Sequence, residues 1–117
     1  MVLMAASVQG AELSSETVID GLAALAHETR LALFRRLVRR GPEGESAGEL
    51  ARWLGVPPQT LSFHLKEMSR AGLLRSRRDG RNVFYYVDFD HAGRLIAYLS
   101  ESCCADMSGH QGQKVRR

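Results

Sequence analysis

Five stretches of the chain carry apolar residues at helical spacing, and one short stretch is rich in β-branched and aromatic residues. In the first, Val18, Ile19, Leu22, Leu25 and Ala26 form a stripe broader than packing on one neighbour requires. Ser14 or Ser15 can cap that helix. The second is predicted over about Glu28 to Arg40, with Leu31, Phe34, Leu37 and Val38 inward. Its Arg35, Arg36, Arg39 and Arg40 face out near the C-terminal end, where cations complement the helix dipole. Gly41-Pro-Glu-Gly44 then marks a turn.

The third and fourth stretches form one unit. Ser46 and Glu49 have the spacing of a capping box, and Leu50, Trp53 and Leu54 continue as an apolar stripe. Gly55 can end the helix at positive φ, and Pro57-Pro58 pre-sets the start of the next. In that next helix Leu61, Leu65 and Met68 face inward, Gln59, Thr60, Ser62, Phe63 and Lys66 face outward, and Gly72 stops it. Exposed amides and hydroxyls at a helix N-terminus suit base edges in the major groove, and a lysine suits phosphate. An ordinary helical hairpin with a solvated polar face fits this stretch equally well.

The segment after Gly72 favours DNA. Leu73 to Asp88 reads as a β-hairpin, with Asp79-Gly80 as a two-residue turn signal and Val83–Val87 as a strand. Its tip carries Arg77, Arg78 and Arg81, with Arg75 lower on the first strand. Four arginines against one aspartate suit backbone or minor-groove contact beside a helix-turn-helix. The expected fold is therefore mainly α with a β-hairpin wing, a winged helix. The candidate DNA-binding residues are Gln59, Thr60, Ser62, Phe63, His64, Lys66, Arg77, Arg78 and Arg81. For His64, packing is the other explanation.

A last helix is predicted from His91 to about Cys104, capped by Asp88 or Asp90. Ala92, Leu95, Ile96, Leu99 and Cys103 fall on one stripe, flanked by Tyr98. Such a stripe is long for the terminal helix of a small domain and fits a partner subunit; lying on the chain's own core is the alternative. Cys103 and Cys104 are the chain's two cysteines, and they are adjacent at the end of this helix. Thiolates select soft, thiophilic centres, and trivalent arsenic and antimony are the most thiophilic candidates. Tetrahedral zinc sites usually space their cysteines by two to four residues. A disulfide between neighbours would be a strained ring.

Composition bounds the rest. At 117 residues the chain is one domain with its own core. Its 16 Lys+Arg against 13 Asp+Glu give a net charge of +3, concentrated between Arg70 and Arg81. No apolar run approaches the ~20 residues needed to span a bilayer, and the N-terminus lacks a basic n-region, so a cytoplasmic location without membrane contact is expected. Residues 1–13 are expected to be a flexible N-terminus, 14–105 the domain and 106–117 a flexible basic tail. No Ser/His/Asp order, P-loop or metal-hydrolase spacing is present, so an enzyme is not expected.

Leu25-Ala-His-Glu-Thr-Arg-Leu-Ala-Leu-Phe-Arg-Arg-Leu37, Gln59-Thr-Leu-Ser-Phe-His-Leu-Lys66, and Arg77-Arg-Asp-Gly-Arg81 with Tyr85-Tyr86 together resemble the ArsR/SmtB family of metal-responsive repressors. The resemblance covers roughly residues 15 to 105. It implies a homodimer, built through the first and last helices, that holds an imperfect inverted repeat of operator DNA until an inducer binds. His27 stands where the family commonly has an aspartate cap. The family's Cys-x-Cys positions fall here on Ser46 and Gly48, so that thiol site is missing. The positions of its zinc site fall on Asp90, Ala92, Cys103 and Asp106, two imidazoles short. The chain is most similar to the arsenic-responsive subgroup with Cys-Cys at the end of the last helix, but lacks that subgroup's third cysteine. His110 stands near the missing position. The resemblance thus implies As(III), Sb(III) or a trivalent organoarsenical as inducer, held by Cys103 and Cys104 with His110 as a possible third ligand. A repressor sensing thiol oxidation, or a metal-independent DNA-binding regulator, are the alternatives.

Overall fold

The computed structural model describes residues 12–109, with side chains described for 12–101. Helix α1 (Ser15–Leu25) starts where the Ser14 hydroxyl accepts from the Thr17 amide at 3.1 Å. Helix α2 (Glu28–Arg40) is capped by His27, whose Nδ1 accepts from the Thr29 amide at 3.1 Å. A 3₁₀ turn (Gly41–Glu43) leads into strand β1 (Glu45–Ser46). Helix α3 (Ala47–Leu54) and helix α4 (Pro58–Arg70) form the helix-turn-helix. Strands β2 (Leu74–Asp79) and β3 (Asn82–Val87) form the wing, and helix α5 runs Phe89–Gly109.

Local chemistry explains most boundaries. Ser46 Oγ accepts from the Glu49 amide at 3.2 Å, half of the expected capping box. The Glu49 carboxylate does not reach back; it pairs with Arg52 one turn on. Gly55 ends α3 in the left-handed region, with φ 70° and ψ 34°. Asp88, not Asp90, caps α5, its Oδ1 accepting from the His91 amide at 3.0 Å. That helix extends past the expected stop near Cys104, as far as Gly109.

The sheet has the antiparallel order β1-β3-β2. The expected turn at Asp79-Gly80 falls one residue later, because Asp79 pairs with Asn82 and leaves Gly80-Arg81 as the loop. Strand β1 has only two residues, Glu45 opposite Tyr85 and Ser46 opposite Phe84, so no periodicity announces it. It can lie that close because Gly44 has φ 70° and ψ −157°, a region essentially reserved for glycine, where any Cβ would overlap the Tyr85 carbonyl.

Leu33 and Leu37 of α2, Leu50 of α3, Leu61, Leu65 and Met68 of α4, and Leu73 form the centre of the core. Burial of each such side chain contributes about 1.5–3 kcal/mol. Two expected inward residues differ: Leu31 and Val38 are exposed, and α2 instead turns the Leu33–Leu37 line inward with Phe34 half-buried beside it. Trp53, on the apolar stripe of α3, is exposed, with the guanidinium of Arg36 4.5 Å from its ring centre. Helices α1 and α5 meet closely at Gly21, where a Cβ would come within 2.5 Å of Leu95 Cδ1. Among the described residues no helix is long and apolar enough to cross a membrane.

Candidate nucleic-acid interface

Helix α4 presents the candidate reading surface. Gln59, Thr60, Ser62, Phe63 and Lys66 are all exposed, while Leu61, Leu65 and Met68 anchor the opposite side. The two faces follow from the 3.6-residue period. Helix α3 packs behind α4, and the α3–α4 turn at Gly55–Pro57 fixes where its N-terminus projects. No acidic residue stands in the first turn of α4, so nothing there repels phosphate.

His64 is the exception among the candidate DNA-binding residues. It is only 8 % exposed and points into the protein, so it does not belong to the groove-facing set. Its ring stands 4.9 Å from that of His27, and its Nδ1 lies 3.3 Å from Nη1 of Arg30. Arginine can only donate, so Nδ1 accepts and the imidazole is neutral, with its proton on Nε2. Burial lowers the His64 pKa from its ordinary value, and the neighbouring His27 and Arg30 lower it further. Arg30 is itself fixed by donating from Nε to the Ala24 carbonyl at 2.7 Å. The end of α1, the start of α2 and the middle of α4 are thereby tied together through the Arg30 guanidinium and the His27–His64 ring contact.

The wing arginines divide by face. In an antiparallel pair, opposite residues share a face, so Arg75 with Tyr86 and Arg77 with Phe84 lie on one side, and Arg78 with Val83 on the other. Arg77 is not a free contact: it donates to the Glu43 carbonyl at 2.9 Å and lies over the Phe84 ring at 5.0 Å. Arg75, Arg78 and Arg81 are exposed.

An ion pair supports the interface from behind. Glu45 is buried, yet Arg36 grips its carboxylate with Nε and Nη2, both at 2.7 Å, and Arg40 lies at 3.5 Å. The bond from Arg36 holds the Glu45 carboxyl below the usual carboxylate range despite burial. This pair links α2 to β1, and so to the wing. Sequence reasoning misses it because Arg36 looks like one of four solvated arginines.

Two exposed apolar strips flank the α1–α5 contact. Ile19 is 62 % exposed on α1 and Ile96 is 61 % exposed on α5, with Leu22, Tyr98 and Leu99 beside them. Patches of this kind mark interaction surfaces. Asp90 is engaged by Arg94 at 3.1 Å, and Ala92 is buried and carries no donor. Among the described residues no group of three or more His, Cys, Asp or Glu could hold a metal. The α5 backbone continues through Cys103 and Cys104, whose side chains, with His110 and the segments 1–11 and 110–117, lie outside the described residues.

A helix-turn-helix with an exposed polar reading face and a basic two-stranded wing defines a winged-helix DNA-binding protein. Comparison with known proteins agrees. A family model described as a helix-turn-helix domain matches residues 25–77. The HTH-type transcriptional regulator YgaV of Escherichia coli K12 is 34% identical over 91 residues, 78% of this chain and 90% of YgaV. The chain belongs to the ArsR family of winged-helix transcriptional regulators. Among solved structures, an ArsR-like transcriptional regulator from Rhodococcus sp. RHA1 is similar at TM-score 0.66 and 28% identity, covering 80% of this chain and 85% of that one. A possible transcriptional regulator for arsenical resistance is similar at TM-score 0.62 and 26% identity, covering 80% and 98%. HlyU from Vibrio cholerae, solved in a form described as reduced, is similar at TM-score 0.60 and 30% identity, covering 77% and 92%.

Proposed function

We propose that this regulator is a repressor that binds an imperfect inverted repeat of operator DNA as a homodimer and lets go when trivalent arsenic occupies Cys103 and Cys104. The observation that carries the reading is the donor set. The only two thiols in the chain are neighbours on α5, the helix that also bears the exposed Ile96 and Leu99. The similarity to a possible regulator for arsenical resistance supports the inducer class. The capping role of Ser46 and the pairing of Asp90 with Arg94 weigh against zinc or thiol chemistry at the family's other sensor positions.

The exposed strips of α1 and α5 suit a twofold interface, since together they leave Ile19, Leu22, Ile96 and Leu99 in water. Two copies of α4 then address successive major grooves, with Gln59, Thr60 and Ser62 toward base edges and Lys66, Arg78 and Arg81 toward phosphates. Bound trivalent arsenic would link two thiolates through strong arsenic–sulfur bonds. A monoorganic arsenical needs only two sulfurs, because carbon fills its third position; arsenite or antimonite needs one further donor, such as His110, a hydroxide or a group of the second subunit. Anchoring α5 in this way favours one pose of the two subunits. If that pose fits the operator worse, inducer and DNA oppose each other reciprocally, typically by ~1–3 kcal/mol.

The test is a thiol titration. Methylarsenite should remove both free thiols of each chain at stoichiometric concentration, and arsenite should bind more weakly. Two cysteines that stay titratable in excess methylarsenite would contradict the reading. A second reading, oxidation of the same cysteines, is favoured by the likeness to an HlyU structure described as reduced. It predicts that peroxide releases DNA and that arsenicals do not.

A further inference from the structure

Phe63 stands out on the face that the DNA-binding reading assigns to the groove. It is 57 % exposed, at the sixth position of α4, and its immediate surroundings on that face are Gln59, Thr60, Ser62 and Lys66. An apolar ring set among hydrogen-bonding groups is unlike the strips on α1 and α5, where exposed apolar residues adjoin one another and suit a protein partner. The ring is also positioned from behind. It meets the His64 ring edge-on at 5.6 Å, and His64 is held in turn by Arg30.

Only one group on the major-groove edge of a base pair is apolar: the C5-methyl of thymine. Excluding water between that methyl and an aromatic face is the exchange on a base edge that best suits an apolar ring. We infer that Phe63 is a specificity-determining residue that recognises a thymine methyl in each operator half-site. Gln59, one helical turn earlier, can pair bidentately with adenine. The two residues are about 6 Å apart along the helix. The thymine is therefore expected within about two base pairs of the base that Gln59 reads. This inference rests on the DNA-binding reading and adds a base and an atom to it.

The experiment replaces single thymines by deoxyuridine in a site selected from random duplexes by the full-length protein. Deoxyuridine keeps every hydrogen-bonding group and removes only the methyl. One position per half-site should lose about fourfold in affinity when its methyl is absent, as expected for one buried carbon. In Phe63→Ala the same replacement should have no effect, whereas in Phe63→Leu part of the effect should persist. Wild-type binding that no deoxyuridine weakens would overturn the inference, as would an effect of equal size in Phe63→Ala. Failure to select any site would instead be a failure of the sequence-specific DNA-binding reading. Phe63 is exposed, so the variants should keep the wild-type circular dichroism and urea midpoint.

Discussion

Arg30 and His64 are joined at the helix junction, Nη1 to Nδ1 at 3.3 Å, and this contact, with burial, keeps a histidine on the DNA-reading helix neutral. Because burial, His27 and Arg30 all lower its pKa, His64 stays neutral in the folded protein at pH values where an unfolded chain would protonate it. The unfolded state then binds more protons, so stability rises with pH between the folded value and about 6.5. The urea midpoint should be flat above about pH 7 and fall as the pH drops below 6.5, with Glu45 adding a further loss near and below pH 4.5 as its carboxylate is protonated. His64→Gln should flatten the upper part of that profile; an unchanged slope there would exclude His64 as its source.

Arg36 and Glu45 are expected to matter more than any surface pair. Arg36→Ala leaves a carboxylate that is 3 % exposed with only Arg40 nearby, while the arginine itself is 30 % exposed. The loss should be about 2–3 kcal/mol by urea denaturation, below that of a fully buried pair. Arg52→Ala, which removes an exposed pair with Glu49, should cost under ~0.5 kcal/mol.

Gly44→Ala should be at least as severe as Arg36→Ala. The position has φ 70°, and a Cβ would strike the Tyr85 carbonyl, which belongs to the backbone and cannot rotate away. A loss of more than ~2 kcal/mol is expected, with the wing detached from β1. By contrast Gly80→Asn, at a turn position with open space around the Cβ, should be tolerated within ~0.5 kcal/mol.

The wing arginines should separate by function. Arg81→Ala and Arg78→Ala should weaken binding to all DNA sequences and each reduce the salt slope by about one. Arg77→Ala should act on stability instead, because that guanidinium already serves Glu43 and Phe84. Denaturation and salt-dependent anisotropy on the three variants distinguish the two behaviours.

These residues also show what a sequence discloses. The helix-turn-helix is legible because each boundary is local: Ser46, Gly55, Pro58 and Gly72 act within one turn of themselves. The strip Leu61, Leu65 and Met68 is legible by its period, and His64 stands on the same period. Its polar identity makes it look like part of the reading face, and only its partners, 34 and 37 residues away, reverse that. In α2 the apolar positions 31, 33, 34, 37 and 38 cover too wide an arc to choose a centre, so Leu31 and Val38 are misplaced by pattern alone. The Arg36–Glu45 pair and the two-residue strand β1 depend on a tertiary approach that no local pattern encodes. The turn slips by one residue because Asp79 extends the ladder to Asn82.

The central claim is that the cysteine pair controls DNA release, and fluorescence anisotropy on promoter DNA tests it most directly. Wild-type protein bound to labelled duplex is titrated with methylarsenite and arsenite, beside a Cys103→Ser/Cys104→Ser variant that binds the same duplex. Release of the wild type by an arsenical, with the double variant remaining bound, is the predicted result. Release of both proteins alike, or of neither, would contradict the assignment of Cys103 and Cys104 as the sensor.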